Sequence, residues 1–297
     1  MGLSNVYTIA GVSAGGTTFK DIQSSTLSPN LQQALLGGSG GAYKTFVAVQ
    51  RIAPVFDFTS GDIKTILAKL TDQIALAIDG DFLVYFQKMA EGGVRSAGST
   101  HTRGTVAKGI LIPVALSLRD GAPATITCQV IMVSADGSTS PLTLTGSSAL
   151  IAAAGAAAGW TLGEVAINGN VLEGVEEVTI NFGISPAVLG ASGMVYPTFA
   201  GVQQVDPSIA ITAASVDEFI SWGLDGVVQG ATDSTISIQD MAEGGIRGSS
   251  PIVCTIDEGL FSTRSVPAAD GQHTRHQIEL KPTYDGTALP LAWSGLA

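Results

Sequence analysis

The sequence predicts a mainly β protein: two tandem β-sandwich-like domains, each with one flanking α-helix. The chain repeats itself. Tyr43–Thr59 returns as Tyr196–Thr212, shifted by 153, with identities at Tyr43/Tyr196, Thr45/Thr198, Phe46/Phe199, Val49/Val202, Gln50/Gln203, Pro54/Pro207 and Thr59/Thr212. Met89-Ala-Glu-Gly-Gly-Val-Arg95 reappears as Met241-Ala-Glu-Gly-Gly-Ile-Arg247, shifted by 152, and the Asp136-Gly137 loop returns at Asp285-Gly286, shifted by 149. A shift that drifts so little implies one duplicated unit with small indels in loops. Composition agrees: 37 Gly and only 13% charged residues suit short strands and tight turns. A helical period appears once in each copy.

These matches place a first domain at 1–147, an Ala/Gly-rich connector at 148–160 and a second domain at 161–297. Each copy opens with a strand and turn, Val6 to Gly11 and, in answer, Val165 to Gly169, where Asn168-Gly169 signals a tight turn. A second strand, Val175 to Phe182, precedes Ser185-Pro186, with Ser28-Pro29 in the first copy. The Tyr-x-Thr-Phe strand follows and ends in alternation, Phe56-x-Phe58 and Ile209-x-Ile211. Then the period changes: Ile63, Ile66, Leu67 and Leu70, and Val216, Phe219, Ile220 and Leu224, each lie on one helical face. Ser60 is a candidate cap for the first helix, and Ser215-Val-Asp-Glu218 is a capping box for the second. Strands resume at Asp81–Phe86 and Asp233–Ile238. A hairpin closes each unit, turning at Asp120-Gly121 and Asp270-Gly271.

The net charge of −11 is unevenly shared. Residues 1–150 hold 10 Lys+Arg against 9 Asp+Glu, whereas residues 151–297 hold 4 against 16. An acidic chain lacks the basic footprint needed to grip nucleic acid, and acidity also serves plain solubility. The N-terminus carries no signal-peptide pattern, and the apolar run Ala149–Gly159 is too short to span a bilayer. Cys128 and Cys254 are not in equivalent positions, so both read as free thiols.

Reactive motifs lack their context. Gly11-Val-Ser-Ala-Gly15 matches a nucleophile elbow, but Gly16-Thr-Thr-Phe19 is a poor helix start for Ser13 to stand on. Gly37 to Lys44 has the flavour of a phosphate loop, yet the repeat places Pro197 at the lysine position. No histidines occupy equivalent positions, and no metal-ligand spacing occurs, so no catalytic residue, cofactor or metal is expected. The most tightly kept motif is structural in reading. Gly92-Gly93 and Gly244-Gly245 allow a bend after Met89 and Met241, while Glu91 with Arg95, and Glu243 with Arg247, bridge neighbouring subunits or the two domains. Tyr43, Phe46, Tyr196 and Phe199 join them as candidate interface residues.

The strand-rich unit with a single mid-domain helix, the turn leading to Val175–Gly183 and the long closing hairpin resemble the tail tube, or major tail, proteins of long-tailed bacteriophages. The resemblance covers nearly the whole chain and is one of architecture. It implies a virion structural protein, made in the host cytoplasm, that is not an enzyme. It implies that duplicated chains form homotrimeric, pseudo-sixfold rings stacked into a tube for DNA delivery. Its partners are then itself, other tail proteins, and a tape measure protein and DNA that pass without specific binding; no membrane is involved. A tail or baseplate ring that does not stack, and a tandem β-sandwich receptor- or carbohydrate-binding module, stay open as alternatives.

Overall fold

A computed structural model describes residues 6–36, 46–89, 101–149, 159–190, 192–214, 229–241, 247–265 and 275–296. The chain is mainly β and antiparallel. In the first half lie β1 (Val6–Ala14), β2 (Thr17–Phe19), β3 (Ile22–Ser28), β4 (Leu31–Leu36), β5 (Phe46–Ile52), β6 (Val55–Ser60), α1 (Ile63–Lys69), β7 (Leu76–Met89), β8 (His101–Arg119), β9 (Ala122–Met132) and β10 (Leu142–Ser148). The second half holds β11 (Gly159–Ile167), β12 (Asn170–Val171), β13 (Val175–Asn181), β14 (Ile184–Leu189), β15 (Phe199–Val205), β16 (Ser208–Ala213), β17 (Gln229–Met241), β18 (Ile252–Ser265), β19 (His276–Pro282) and β20 (Ala292–Ser294).

Every pairing of the first half recurs in the second. β1 pairs β2 and β7, as β11 pairs β12 and β17. β6 lies between β3 and β9, as β16 lies between β13 and β19. β8 takes β7, β9 and β10; β18 takes β17, β19 and β20. The hairpins β4–β5 and β14–β15 stand apart as separate two-stranded sheets. One further pairing joins the halves: β13 runs antiparallel to the end of β8, Glu177 opposite Arg119 through Asn181 opposite Ala115.

Several sequence expectations shift. The single Tyr-x-Thr-Phe strand is two strands in different sheets, because Pro54 and Pro207 interrupt the ladder between β5 and β6 and between β15 and β16. Tyr196–Thr198 precede the strand, which begins at Phe199. Cross-strand register equates Val165 with Val12, not Val6, since both face corresponding residues, Ile236 and Val84. The turn Asn168-Gly169 therefore answers Gly15-Gly16, and all four residues have φ between 53° and 74°, as a tight hairpin turn requires. Likewise β13 pairs β16 as β3 pairs β6, so Ser185 corresponds to Gln32 rather than Ser28.

Helix α1 buries Ile63, Ile66 and Leu67, as its spacing predicts. Its N-cap is Asp62, not Ser60; the Ser60 hydroxyl accepts from the Asp62 N–H at 3.0 Å and donates to the Lys20 carbonyl at 2.7 Å. The second helix, its capping box, the Asp270-Gly271 turn and most of the connector lie outside the described residues. The main core runs through both halves, from Phe19, Phe56, Phe58 and Phe82 to Ile180, Ile211, Ile238 and Leu280. Among the described residues no helix is long and apolar enough to cross a membrane.

Candidate functional site

The place where the halves meet is the most informative site. β3–β6–β9–β8–β13–β16–β19–β18 form one uninterrupted antiparallel run, four strands from each repeat. The junction is well made. Val178 and Ile180 face Leu118 and Leu116 across β13–β8, and all four side chains are fully buried. At about 1.5–3 kcal/mol for each large aliphatic buried, this stripe is a substantial part of what holds the halves together. Backbone bonds extend it: Phe182 N–H donates to the Val114 carbonyl at 3.1 Å, and Asp120 N–H to the Glu176 carbonyl at 3.0 Å. The Thr161 hydroxyl donates to the Arg119 carbonyl at 3.0 Å.

Arg247 works at this junction. Its guanidinium meets the Asp120 carboxylate of the other repeat at 2.6 Å and also donates to the Leu162 carbonyl and the Gln239 side chain. The described carboxylate partner of Arg247 is thus Asp120 of the first repeat. Met241 ends β17 opposite Gly159, and Met89 ends β7 opposite Val6. Tyr43, Glu91, Gly92, Gly93, Arg95, Glu243, Gly244 and Gly245 lie outside the described residues. Phe46 and Phe199 open β5 and β15 and are exposed, and the Tyr196 N–H donates to the Gly137 carbonyl at 3.0 Å, again between repeats.

The ends of the eight-stranded run are unlike. β3 pairs only β6, so its other edge is bare among the described residues. Among the described residues the β17–β18 pairing ends at Gln229 opposite Phe261, and β18 runs on to Ser265 against β19. Register makes β3 the counterpart of β13, with Leu27 in the place of Ile180. Ile180 is fully buried beneath β8, while Leu27 is 41% exposed.

On the face of this run turned from the core, Thr59 meets Thr127 and the Gln129 amide donates to Asp57 at 2.9 Å. Glu177, Thr179, Asn181, Thr212, Gln277, Glu279 and Lys281 alternate with the core residues of β13, β16 and β19, so that face is polar and carries both signs of charge.

Among the described residues no reactive centre assembles around Ser13, and the Gly37 to Lys44 motif lies outside them. Ser13 is buried in β1 opposite Thr18, and the chain turns straight into β2 instead of a helix. Burial pushes both thiols, Cys128 and Cys254, well above the ordinary range and keeps them protonated. Asp136 is held below the usual carboxylate range, chiefly by the Thr139 N–H, then by the Thr139 hydroxyl, the Ser138 N–H and the Ser134 hydroxyl. Asp285 is lowered in the same way by the Thr287 and Ala288 N–H groups. These two carboxylates shape matching loops. Among the described residues no group of three or more His, Cys, Asp or Glu is placed to hold a metal ion.

Sequence reading missed the β8–β13 pairing, the bare β3 edge and Leu27. Once register is known the signal is visible in the repeat: Leu27 keeps the apolar character of its counterpart Ile180, while Ser25 stands where Val178 does. No protein-family model and no curated protein matches the chain.

Proposed function

We propose that this chain is a structural virion protein that closes into rings and stacks into the tail tube of a bacteriophage, a conduit for DNA. The supporting observation is the β8–β13 junction. It is a head-to-tail contact between two copies of one unit, and among the described residues the run it belongs to begins at the unpaired edge of β3 and ends at β18. A heterologous contact that repeats with a constant rotation closes a ring, which removes the edges altogether. In this reading β3 of one chain pairs the end of β18 in the next, as β13 pairs the end of β8 within the chain. The two repeats are tandem tube domains of sandwich type, each with a flanking helix, and three chains supply six of them. The sequence carries both ends of the junction ion pair a second time, as Arg95 and Asp270. The polar face turned from the core lines the lumen, where Asp57, Glu177 and Glu279 outnumber Lys281 and DNA phosphates find few cations to hold them.

Electron microscopy of the purified full chain tests this. Hollow threefold rings or tubes are expected; a chain that stays monomeric at every concentration overturns the reading, and rings that never stack restrict it to a ring component. Leu27→Asp places a charge at the edge that must be buried, so it is expected to abolish assembly and leave the protomer folded, as read by circular dichroism.

A further inference from the structure

The second-repeat hairpin β14–β15 is folded over the first repeat. Ile184, Val188 and Ala200 pack on Ile110, Ile112 and Ile131, a small cluster on the face of β8–β9 away from the main core. Its tip is anchored on the Asp136 loop. Ser134 N–H donates to the Pro197 carbonyl at 2.7 Å, and Met194 lies so close to Gly137 that a Cβ there would come within 2.7 Å of its Cγ.

The same parts exist once more with their apolar side chains exposed, although the base of β5 is tied to the second-repeat hairpin, Arg51 donating to the Val188 carbonyl at 3.0 Å and Ile52 N–H to the Val195 carbonyl at 2.9 Å. Register in the two hairpins places Leu31, Leu35 and Val47 where Ile184, Val188 and Ala200 stand. Those three are partly buried, whereas Leu31, Leu35 and Val47 are 42%, 54% and 58% exposed. On the receiving side, Leu260 opposite Lys281 occupies the place of Ile110 opposite Ile131. Ile110 is 7% exposed and Leu260 51%. The Asp285 loop has the Asp136 geometry, yet no atom lies within 4 Å of a Cβ built on Gly286, and Tyr284 beside it is 62% exposed. An arm and its seat are both present in one chain, too far apart in the ring order to meet each other.

We infer that the β4–β5 hairpin is an arm that docks on the β18–β19 face of a second copy of this chain, setting Leu31, Leu35 and Val47 against Leu260 and Tyr284. The occupant is named by the chain's own precedent, because the repeat that supplies β13 to the first half also supplies the hairpin that covers it. A neighbour giving β3 to β18 therefore brings its β4–β5 arm to the same place. The second-repeat seat is more polar, with Ser262 and Lys281 for Ile112 and Ile131. Tyr284 adds an aromatic anchor, and the Lys281 stem lies along the arm. The inference rests on the head-to-tail reading above and adds a second, separable contact to it.

Sedimentation of the full chain over a concentration series, with Leu35→Asp and Leu260→Asp variants, is the test. Each variant is expected to weaken assembly at least tenfold, about 1.4 kcal/mol, while the urea midpoint of the protomer stays unchanged, since both side chains are exposed in it. Oxidation of the Leu35→Cys, Leu260→Cys double variant is expected to link chain to chain up to a closed trimer. If the unmodified chain never assembles, the ring reading and the arm fall together. If it assembles, and both Asp variants match it with no cross-link between chains, only the arm falls.

Discussion

The two repeats have the same strands and the same pairings but opposite surroundings. β13 and the β14–β15 hairpin are covered by the first repeat; on β3 and the β4–β5 hairpin, built alike, Leu27, Leu31, Leu35 and Val47 face solvent. Leu144 continues the pattern: it is 58% exposed, while Trp293, its counterpart at the same register, is 7% exposed, stacks on Phe182 and bonds Gln73 through its backbone. Equivalent residues differ in burial because one set is covered by the other repeat and the other set is not covered within the chain. An apolar residue that is exposed in one repeat and buried in the other therefore marks an interface more sharply than exposure alone, which is common on protein surfaces.

The comparison breaks most readily at its strongest pair. Ile180→Ala is expected to cost roughly 2–5 kcal/mol in urea unfolding, by lost transfer energy and a cavity under β8, whereas Leu27→Ala in the unassembled chain costs about 1 kcal/mol or less. Equal costs would mean that the two strands are not in different environments.

His276 sharpens the contrast between the cores. It is fully buried on β19 opposite Ala213, where the first repeat has Ile126 opposite Ser60, and burial lowers its pKa below the ordinary 6.5. The folded chain keeps it neutral while the unfolded chain takes up a proton near pH 6.5. Its contribution is thus fully present above that pH and is lost as pH falls toward the lower folded value, by at most about 1.4 kcal/mol per pH unit. His276→Ile should flatten the fall in thermal stability between pH 7 and 5; an unchanged profile would remove the argument. The lowered Asp136 and Asp285 carboxylates act in a more acid window.

The smallest effect belongs to the Asp120–Arg247 pair, whose side chains are 59% and 47% exposed. Asp120→Asn is expected to cost about 1 kcal/mol or less, and less still at high salt, as measured by denaturation at two ionic strengths.

Much of this fold was legible in the chain because its signals are local. The period of Ile63, Ile66 and Leu67 is set within one helix, and the turns at Asn168-Gly169 and Asp120-Gly121 by φ values that few residues adopt. The repeat itself needed no structure at all. What sequence order concealed was which strand lies beside which. The split at Pro54 and the true counterparts of Val165 and Ser185 depend on hydrogen-bond register, which similarity over a few residues does not determine. The β8–β13 junction joins residues some sixty positions apart in sequence, and its stability comes from burying Val178 and Ile180 under Leu116 and Leu118 together. The sequence by itself determined two like, strand-rich units with an acidic second half. Only the tertiary structure decided that they meet through β8 and β13 and that Leu27, Leu35 and Leu260 stay exposed where their counterparts are covered, because burial is a property of neighbours in space and not of neighbours in the chain.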